Sequence, residues 1–289
     1  MNFKLICTTR NNYEIKYSRK TFAGGEVQVK LLKYPVGDTF GPVLIDGLIK
    51  SSDMLMELLL LANALHHSGK SGKISANIHY LPYARQDRIC TLGESFALEN
   101  FMHTLTNSCL EHIIVEDVHS DVAILLANKI HSGGCWSFIS QTDIVSPHIP
   151  QGVTLISPDK GALRKTIASA IATDNNFVTF NKVRDPHSGS ISGTEIIDGE
   201  EFVDGKVCLI LDDILDGGRT FVPIIEKLFD KGAKAVYLYA THAILPYGLD
   251  AVMNVGCDGV FYKNSFRDDT DGELFYHVSK MKSTLEEKL

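Results

Sequence analysis

Asp212-Asp213-Ile214-Leu215-Asp216-Gly217-Gly218-Arg219-Thr220 follows an apolar run at 207–211 and precedes a helical pattern at 221–229. The apolar run has the composition of a strand buried on both faces. Carboxylates and a Gly-Gly turn therefore stand at the carboxyl end of a strand, where open α/β sheets bind ligands. Glycine lets the backbone approach an anion closely, and the helix that follows presents free N–H groups to it. Carboxylates side by side suit sugar hydroxyls or a hard divalent cation. By itself the segment fits a sugar-phosphate loop and an ordinary strand-to-helix connection equally well.

The same arrangement recurs along the chain. Apolar strand-like runs lie at 3–7, 43–49, 74–81, 112–118, 153–157, 177–181, 207–212, 235–241 and 258–262. Helical patterns fall between many of them, at 53–67, 94–107, 120–131, 161–173, 219–231 and 246–254. Alternation of this kind predicts α/β architecture with largely parallel sheets and helices on both faces. The stretch 140–152, with Pro147 and Pro150 and little periodicity, is the expected passage between two domains, 1–141 and 142–289. The helix at 53–67 is apolar nearly all round, which predicts burial at a domain or subunit interface. Residues 181–205 carry four glycines and several serines and read as one long loop. Loops of that length inside domains are usually functional lids or disordered segments, with a flexible hairpin excursion as the plainer alternative.

Composition narrows the function. A chain of 289 residues is long enough for two cored domains. Its 28 basic and 35 acidic residues give a net charge of −7, which argues against a nucleic-acid partner but not against local binding of phosphates. The cysteines at 7, 90, 109, 135, 208 and 257 form no C-x-x-C pair, so neither a zinc site nor a redox motif is expected. No signal peptide is evident, and the most apolar segment, 54–65, is too short to span a bilayer. A cytoplasmic protein with no membrane partner is the expectation.

Three further segments follow strand patterns: Tyr83-Ala84-Arg85-Gln86-Asp87-Arg88, then Glu116-Asp117-Val118-His119-Ser120, then Ser157-Pro158-Asp159-Lys160-Gly161. With the 212–220 loop, the turn Thr21-Phe22-Ala23-Gly24-Gly25-Glu26 and the strand end Tyr239-Ala240-Thr241-His242, they resemble the ribose-phosphate diphosphokinases in order and spacing. The resemblance runs from about residue 20 to about 262. It implies two phosphoribosyltransferase-type domains with the active site between them. It also implies Mg²⁺-dependent transfer of the β,γ-diphosphate of ATP to the anomeric hydroxyl of ribose 5-phosphate, with release of AMP.

Carried over motif by motif, the resemblance gives Phe22, Glu26, Arg85, Gln86, Arg88 and His119 to ATP. His119 and Asp159 become Mg²⁺ contacts, Asp159 with ribose as its alternative partner. Asp212 and Asp213 fall to the ribose hydroxyls, and Asp216, Gly217, Gly218, Arg219 and Thr220 to the 5-phosphate. Lys182 and Arg184, a K-x-R at the base of the 181–205 loop, become the catalytic cations. Tyr83 is as consistent with packing as with ligand contact, and His242 has no assigned role. A homodimer or larger homo-oligomer is implied, with Glu26 near a partner subunit's adenine.

The chain departs from the family pattern in three places. Its phosphate loop lacks the usual Thr at Gly217 and carries Arg219 where Gly is usual. These changes open a second acceptor, a ribose bearing a 5′-diphosphate such as ADP-ribose. Gly24 stands where the adenine turn has Asp or Asn. Residues 89–94 lack the family's basic residues, so allosteric control by phosphate or ADP is not expected. A phosphoribosyltransferase and a catalytically silent regulatory relative are the other readings. The doubled domain with Arg85-Gln86-Asp87-Arg88 opposes the first, and retained Lys182, Arg184, His119 and Asp159 oppose the second.

Overall fold

The computed structural model describes residues 2–8, 12–33, 41–69, 71–130, 135–184, 191–267 and 274–289. Side chains of residues 33, 71, 183, 184, 191 and 192 fall outside that description. The chain forms two compact units, Met1–Ile139 and Ser140–Leu289.

Unit 1 contains β1 (Lys4–Cys7), β2 (Tyr13–Thr21), β3 (Val27–Lys33), β4 (Gly41–Asp46), β5 (Ser71–Asn77), β6 (His112–Glu116) and β7 (Trp136–Ile139). Its helices are α1 (Ser52–His67), α2 (Ala97–Thr106) and α3 (Asp121–Ile130). The sheet order is β3-β2-β1-β4-β5-β6-β7. Strands β4 to β7 pair in parallel, as the crossover helices between them require. Strands β1, β2 and β3 add an antiparallel flank that the sequence reading largely missed. In β2 only Ile15 and Tyr17 face the core, so no continuous apolar run marks it.

Helix α1 corrects an expectation. Glu57, Leu58, Leu61, Ala62 and Leu65 are buried, and Leu55, Leu59 and Leu60 pack partly on the same core. The unit's own core takes most of its apolar surface, and Met56, 48% exposed, is left outside it. The buried Glu57 carboxylate accepts from Tyr17 Oη at 2.6 Å and Asn2 Nδ2 at 2.7 Å and pairs with Arg19 Nε at 3.0 Å. A buried charge persists only with such partners. These contacts pin β2, and so the β2–β3 hairpin, to the helix.

Unit 2 contains β8 (Thr154–Ser157), β9 (Phe177–Arg184), β10 (Ile191–Asp198), β11 (Val207–Leu215), β12 (Ala235–Ala243), β13 (Gly259–Ser265) and β14 (Phe275–His277). Its helices are α4 (Gln141–Val145), α5 (Leu163–Thr173), α6 (Val222–Asp230), α7 (Asp250–Met253) and α8 (Met281–Glu286). The order is β10-β9-β8-β11-β12-β13-β14, all parallel except the β9–β10 pair. Successive residues of β11 feed opposite cores: Cys208 and Ile210 pack with α6, and Leu209 and Leu211 with α8. Each such buried aliphatic side chain contributes about 1.5–3 kcal/mol.

Most of the 181–205 segment is not loop. Strand β9 continues to Arg184 and β10 returns antiparallel, Thr194 opposite Lys182. Glycine and serine disguised β10 in the sequence. Residues 185–190 lie outside the described residues. Helix α7 is a single turn, far shorter than the 246–254 pattern, because a Leu-Pro-Tyr-Gly turn precedes it.

Candidate active site

Each unit sets most of its candidate residues at the carboxyl ends of its parallel strands, and unit 1 adds Phe22 and Glu26 on the antiparallel β2–β3 turn. In unit 2, β8 ends at Ser157, whose Oγ donates to the Asp159 carbonyl at 2.8 Å. Asp159 Oδ1 accepts from the backbone N–H of Gly161 at 2.9 Å and of Ala162 at 3.2 Å, closing the turn that leads into α5. Its Oδ2 accepts from Lys182 Nζ at 2.5 Å. Burial works to raise the Asp159 pKa, but the hydrogen bond and charge of Lys182, aided by the two N–H groups, hold it below the ordinary carboxylate value. Two residues assigned to different tasks are thus joined in one ion pair.

Strand β11 runs through both carboxylates to Leu215, so Asp212 and Asp213 lie inside the strand rather than beyond it. Gln141 Nε2 donates to the Asp212 carbonyl at 2.7 Å, and the Asp213 N–H donates to Asp212 Oδ1 at 2.9 Å. Desolvation, then the adjacent Asp213 carboxylate, pushes the Asp212 carboxyl well above its usual range. The pair therefore holds a proton more readily than two isolated carboxylates would.

Asp216, Gly217, Gly218, Arg219 and Thr220 connect β11 to α6. Gly218 has φ +71°, and a Cβ there would stand 3.2 Å from Val252 Cγ1. Only glycine fits both constraints. A Cβ on Gly217 would meet nothing nearer than Tyr247 at 3.9 Å. Pro223 sits in the first turn of α6, where its missing N–H disturbs no helical bond. Lys182, Gly193, Thr194, Arg219, Thr220 and Pro223 line one cleft of about 380 Å³. Arg219 thus faces the β9–β10 hairpin. A second hollow of about 800 Å³ opens beside the loop, lined by Leu245, Tyr247, Leu249, Phe266, Arg267 and Phe275. Arg184 closes β9, and its side chain lies outside the described residues. His242 is buried in β12, paired in register with Ile214 and Asn264.

In unit 1, residues 22–26 turn the β2–β3 hairpin, with Phe22 N–H donating to the Glu26 carbonyl and Gly25 N–H to the Phe22 carbonyl, both at 2.9 Å. The Phe22 ring is 48% exposed, with Lys20 Nζ 4.8 Å from its centroid. A Cβ on Gly24 would lie 2.6 Å from Glu26 Oε2, so the Glu26 carboxylate fills the space that a side chain at 24 would take.

Arg85, Gln86 and Arg88 are exposed on the loop after β5, while Asp87 is buried. Asp87 accepts from Arg88 Nε at 2.8 Å and Nη2 at 3.0 Å, and from Ser120 Oγ at 2.8 Å. Ser120 follows the exposed His119, so this carboxylate ties the two nucleotide segments together. Tyr83 packs on Phe101, ring centroids 5.5 Å apart, with 41% of its surface exposed. Asp87 was not singled out in the sequence; its burial between two loops has no local signature.

Among the described residues no three His, Cys, Asp or Glu side chains assemble into a metal-holding group. Asp159 has the oxygen donors Mg²⁺ prefers, and such a cation commonly takes one or two protein carboxylates and completes its shell with phosphate and water. The nitrogen of His119 is a poorer donor for so hard an ion.

The wider comparisons agree with this architecture. The N-terminal domain of ribose phosphate pyrophosphokinase matches residues 3–108, and the phosphoribosyl transferase domain matches 148–245. A crystal structure of phosphoribosylpyrophosphate synthetase from Mycobacterium smegmatis superposes with a TM-score of 0.74 over 94% of this chain and 89% of that one, at 22% identity. The fold is that of the two-domain phosphoribosyltransferase-type proteins. Ribose-phosphate pyrophosphokinase of Pyrococcus furiosus is 30% identical over 235 residues, 79% of this chain and 78% of the relative. That of Chromobacterium violaceum is 30% identical over 242 residues, 83% of this chain and 72% of the relative. The chain belongs to the ribose-phosphate pyrophosphokinase family. No helix among the described residues is long and apolar enough to cross a membrane.

Proposed function

We propose that this protein transfers the β,γ-diphosphate of ATP to the anomeric hydroxyl of ribose 5-phosphate. The hydroxyl oxygen attacks the β-phosphorus, the bond from that phosphorus to the α,β-bridging oxygen breaks, AMP leaves, and the hydroxyl proton is released. Arg85, Gln86, Arg88 and His119 bind ATP with the turn bearing Phe22 and Glu26. Asp212 and Asp213 hold the ribose hydroxyls, and the 216–220 loop holds the 5-phosphate with backbone N–H groups. Asp159 would hold a Mg²⁺ ion, which would supply charge neutralisation to the transferring group. Lys182, with Arg184, neutralises charge on that group as it transfers.

The observation that carries this reading is the cleft shared by Lys182, Arg219 and Thr220, with Lys182 paired to Asp159. The ion pair fixes the position of the lysine ammonium before substrate arrives. The direct test is the nucleotide product formed from ATP, Mg²⁺ and ribose 5-phosphate. AMP is expected; ADP would mean an ordinary kinase and would end this reading.

A second acceptor is favoured by one observation. The 800 Å³ hollow beside Gly217 offers Tyr247 and Phe266 for a ring and Arg267 for a phosphate. That is room for the nucleoside diphosphate portion of ADP-ribose. Ribose 5-phosphate remains the first assignment, since the other motifs follow the family. A homodimer or larger assembly, with Glu26 near a partner's adenine, belongs to the same proposal.

A further inference from the structure

Six non-glycine residues among those described have a left-handed backbone, and three of them lie in or directly before the two nucleotide segments of unit 1: His79 (φ 49°), Tyr83 (φ 64°) and Asp117 (φ 42°). Such conformations persist only where the surroundings over-determine them. At His79 the surroundings are charged. Its Nδ1 lies 3.1 Å from Glu116 Oε1, and its Nε2 lies 3.2 Å from Asp46 Oδ1. The Glu116 N–H donates to the His79 carbonyl at 2.8 Å. Asn77 Nδ2 donates to the same Asp46 oxygen at 2.9 Å. Carboxylates from the ends of β4 and β6 thus converge on one ring that leaves the end of β5.

With a carboxylate at each nitrogen, the ring is doubly protonated, since both nitrogens must donate. Burial alone would favour the neutral ring, but Asp46 and Glu116 outweigh it and raise the His79 pKa to about 9. The charged and polar groups facing this cluster are Asp46 from β4, Asn77 from β5, Glu116 from β6 and, acting on Asp46, Lys4 from β1. His79 stands four residues before Tyr83, and Glu116 three before His119. The Ser120–Asp87 bond joins the far sides of the same two loops.

We infer that His79 is a positioning residue, a half-buried imidazolium that clamps the β5 and β6 loops in the one arrangement in which Arg85, Gln86, Arg88 and His119 address a nucleotide together. The inference rests on the reading of those four residues as the ATP set. Imidazolium suits the task because two opposed donors on a rigid ring fix the distance between two carboxylates. Removing it leaves the half-buried Asp46 and the buried Glu116 alike in charge and without their shared donor.

The experiment compares wild type, His79→Gln and Glu116→Gln. Amide hydrogen exchange of segments 83–88 and 116–120 in the ligand-free protein reads the clamp directly, and calorimetric titration with ATP, alongside KM and kcat, reads its consequence. Both variants should exchange faster in both segments. ATP affinity should weaken about tenfold, KM for ATP should rise in parallel, and kcat should move less than about threefold. The double variant should add little, because both changes break one tie.

The pH dependence has a definite sign. The folded pKa lies above the ordinary 6.5, so the stabilisation is full below pH 6.5 and is lost as pH rises through about 9. Wild-type affinity for ATP should therefore fall across that interval more steeply than that of His79→Gln. Unchanged exchange in both segments would overturn the inference whatever the ligand. Unchanged affinity in both variants would overturn it while leaving the ATP reading intact. A wild type that binds no ATP would defeat the ATP reading itself, and the inference with it. If His79→Gln does not fold, Glu116→Gln carries the same test through the other partner.

Discussion

The two units hold their ligand loops by opposite means. Unit 1 fixes its loops with side chains, through His79 between Asp46 and Glu116 and Asp87 between Arg88 and Ser120. Unit 2 relies on main chain, through Gly218 at φ +71° against Val252 and backbone N–H groups on Asp159, with Lys182–Asp159 as an added pair. A side-chain clamp titrates, and one substitution can undo it. A glycine turn is indifferent to pH but, at Gly218, intolerant of an added atom. The loops of the unit that would hold a nucleotide are therefore held by groups that titrate, whereas the unit that would hold a sugar phosphate is sterically exacting at Gly218 and keeps its raised carboxyl, Asp212, inside a strand.

The sharpest way to break that contrast is Lys182→Ala. Lys182 is the charged exception in unit 2, and its charge would act on the transition state. Turnover should fall on the order of 100-fold or more, with ATP affinity nearly unchanged in a binding titration. Unchanged turnover with weaker ATP binding would move Lys182 from catalysis to nucleotide binding.

A smaller effect tests the cradle. Gly218→Ala forces a left-handed alanine against Val252 and should destabilise the fold by about 1–2 kcal/mol. Gly217→Ala has room and should stay within roughly 0.5 kcal/mol. Denaturant unfolding of both variants measures the difference; equal losses would mean that position 218 is not sterically special.

The smallest effect concerns the acceptor. Arg267→Ala should weaken use of ADP-ribose by roughly tenfold, the worth of one charge-assisted phosphate contact in the hollow beside Gly217, while ribose 5-phosphate changes little. Steady-state kinetics with each acceptor decide it. Equal effects, or no ADP-ribose activity in wild type, would remove the case for the larger acceptor.

The parallel strands were legible because burial on two faces leaves a continuous apolar signature, as in β11. The antiparallel flank was not, because Tyr13-Glu14-Ile15-Lys16-Tyr17 buries only one face and alternates. The Asp-Gly-Gly loop announced itself by composition. The His79 clamp did not, because its members at 46, 79 and 116 meet only after three strands align. The apolar stretch at 74–81 also hid the histidine inside an apparent strand, whereas β5 ends at Asn77.

Lys182 sits within a paired strand rather than on a free loop, opposite Thr194 and three residues after Thr179, which pairs with Ser157 of β8. Side chains along a strand alternate between faces. Gaining or losing one residue between 179 and 182 would turn the lysine to the face away from Asp159, while length changes beyond Arg184 would leave its phase intact. Lineages of this protein should therefore vary freely in length at the turn of the hairpin and hardly at all in the few residues leading to Lys182.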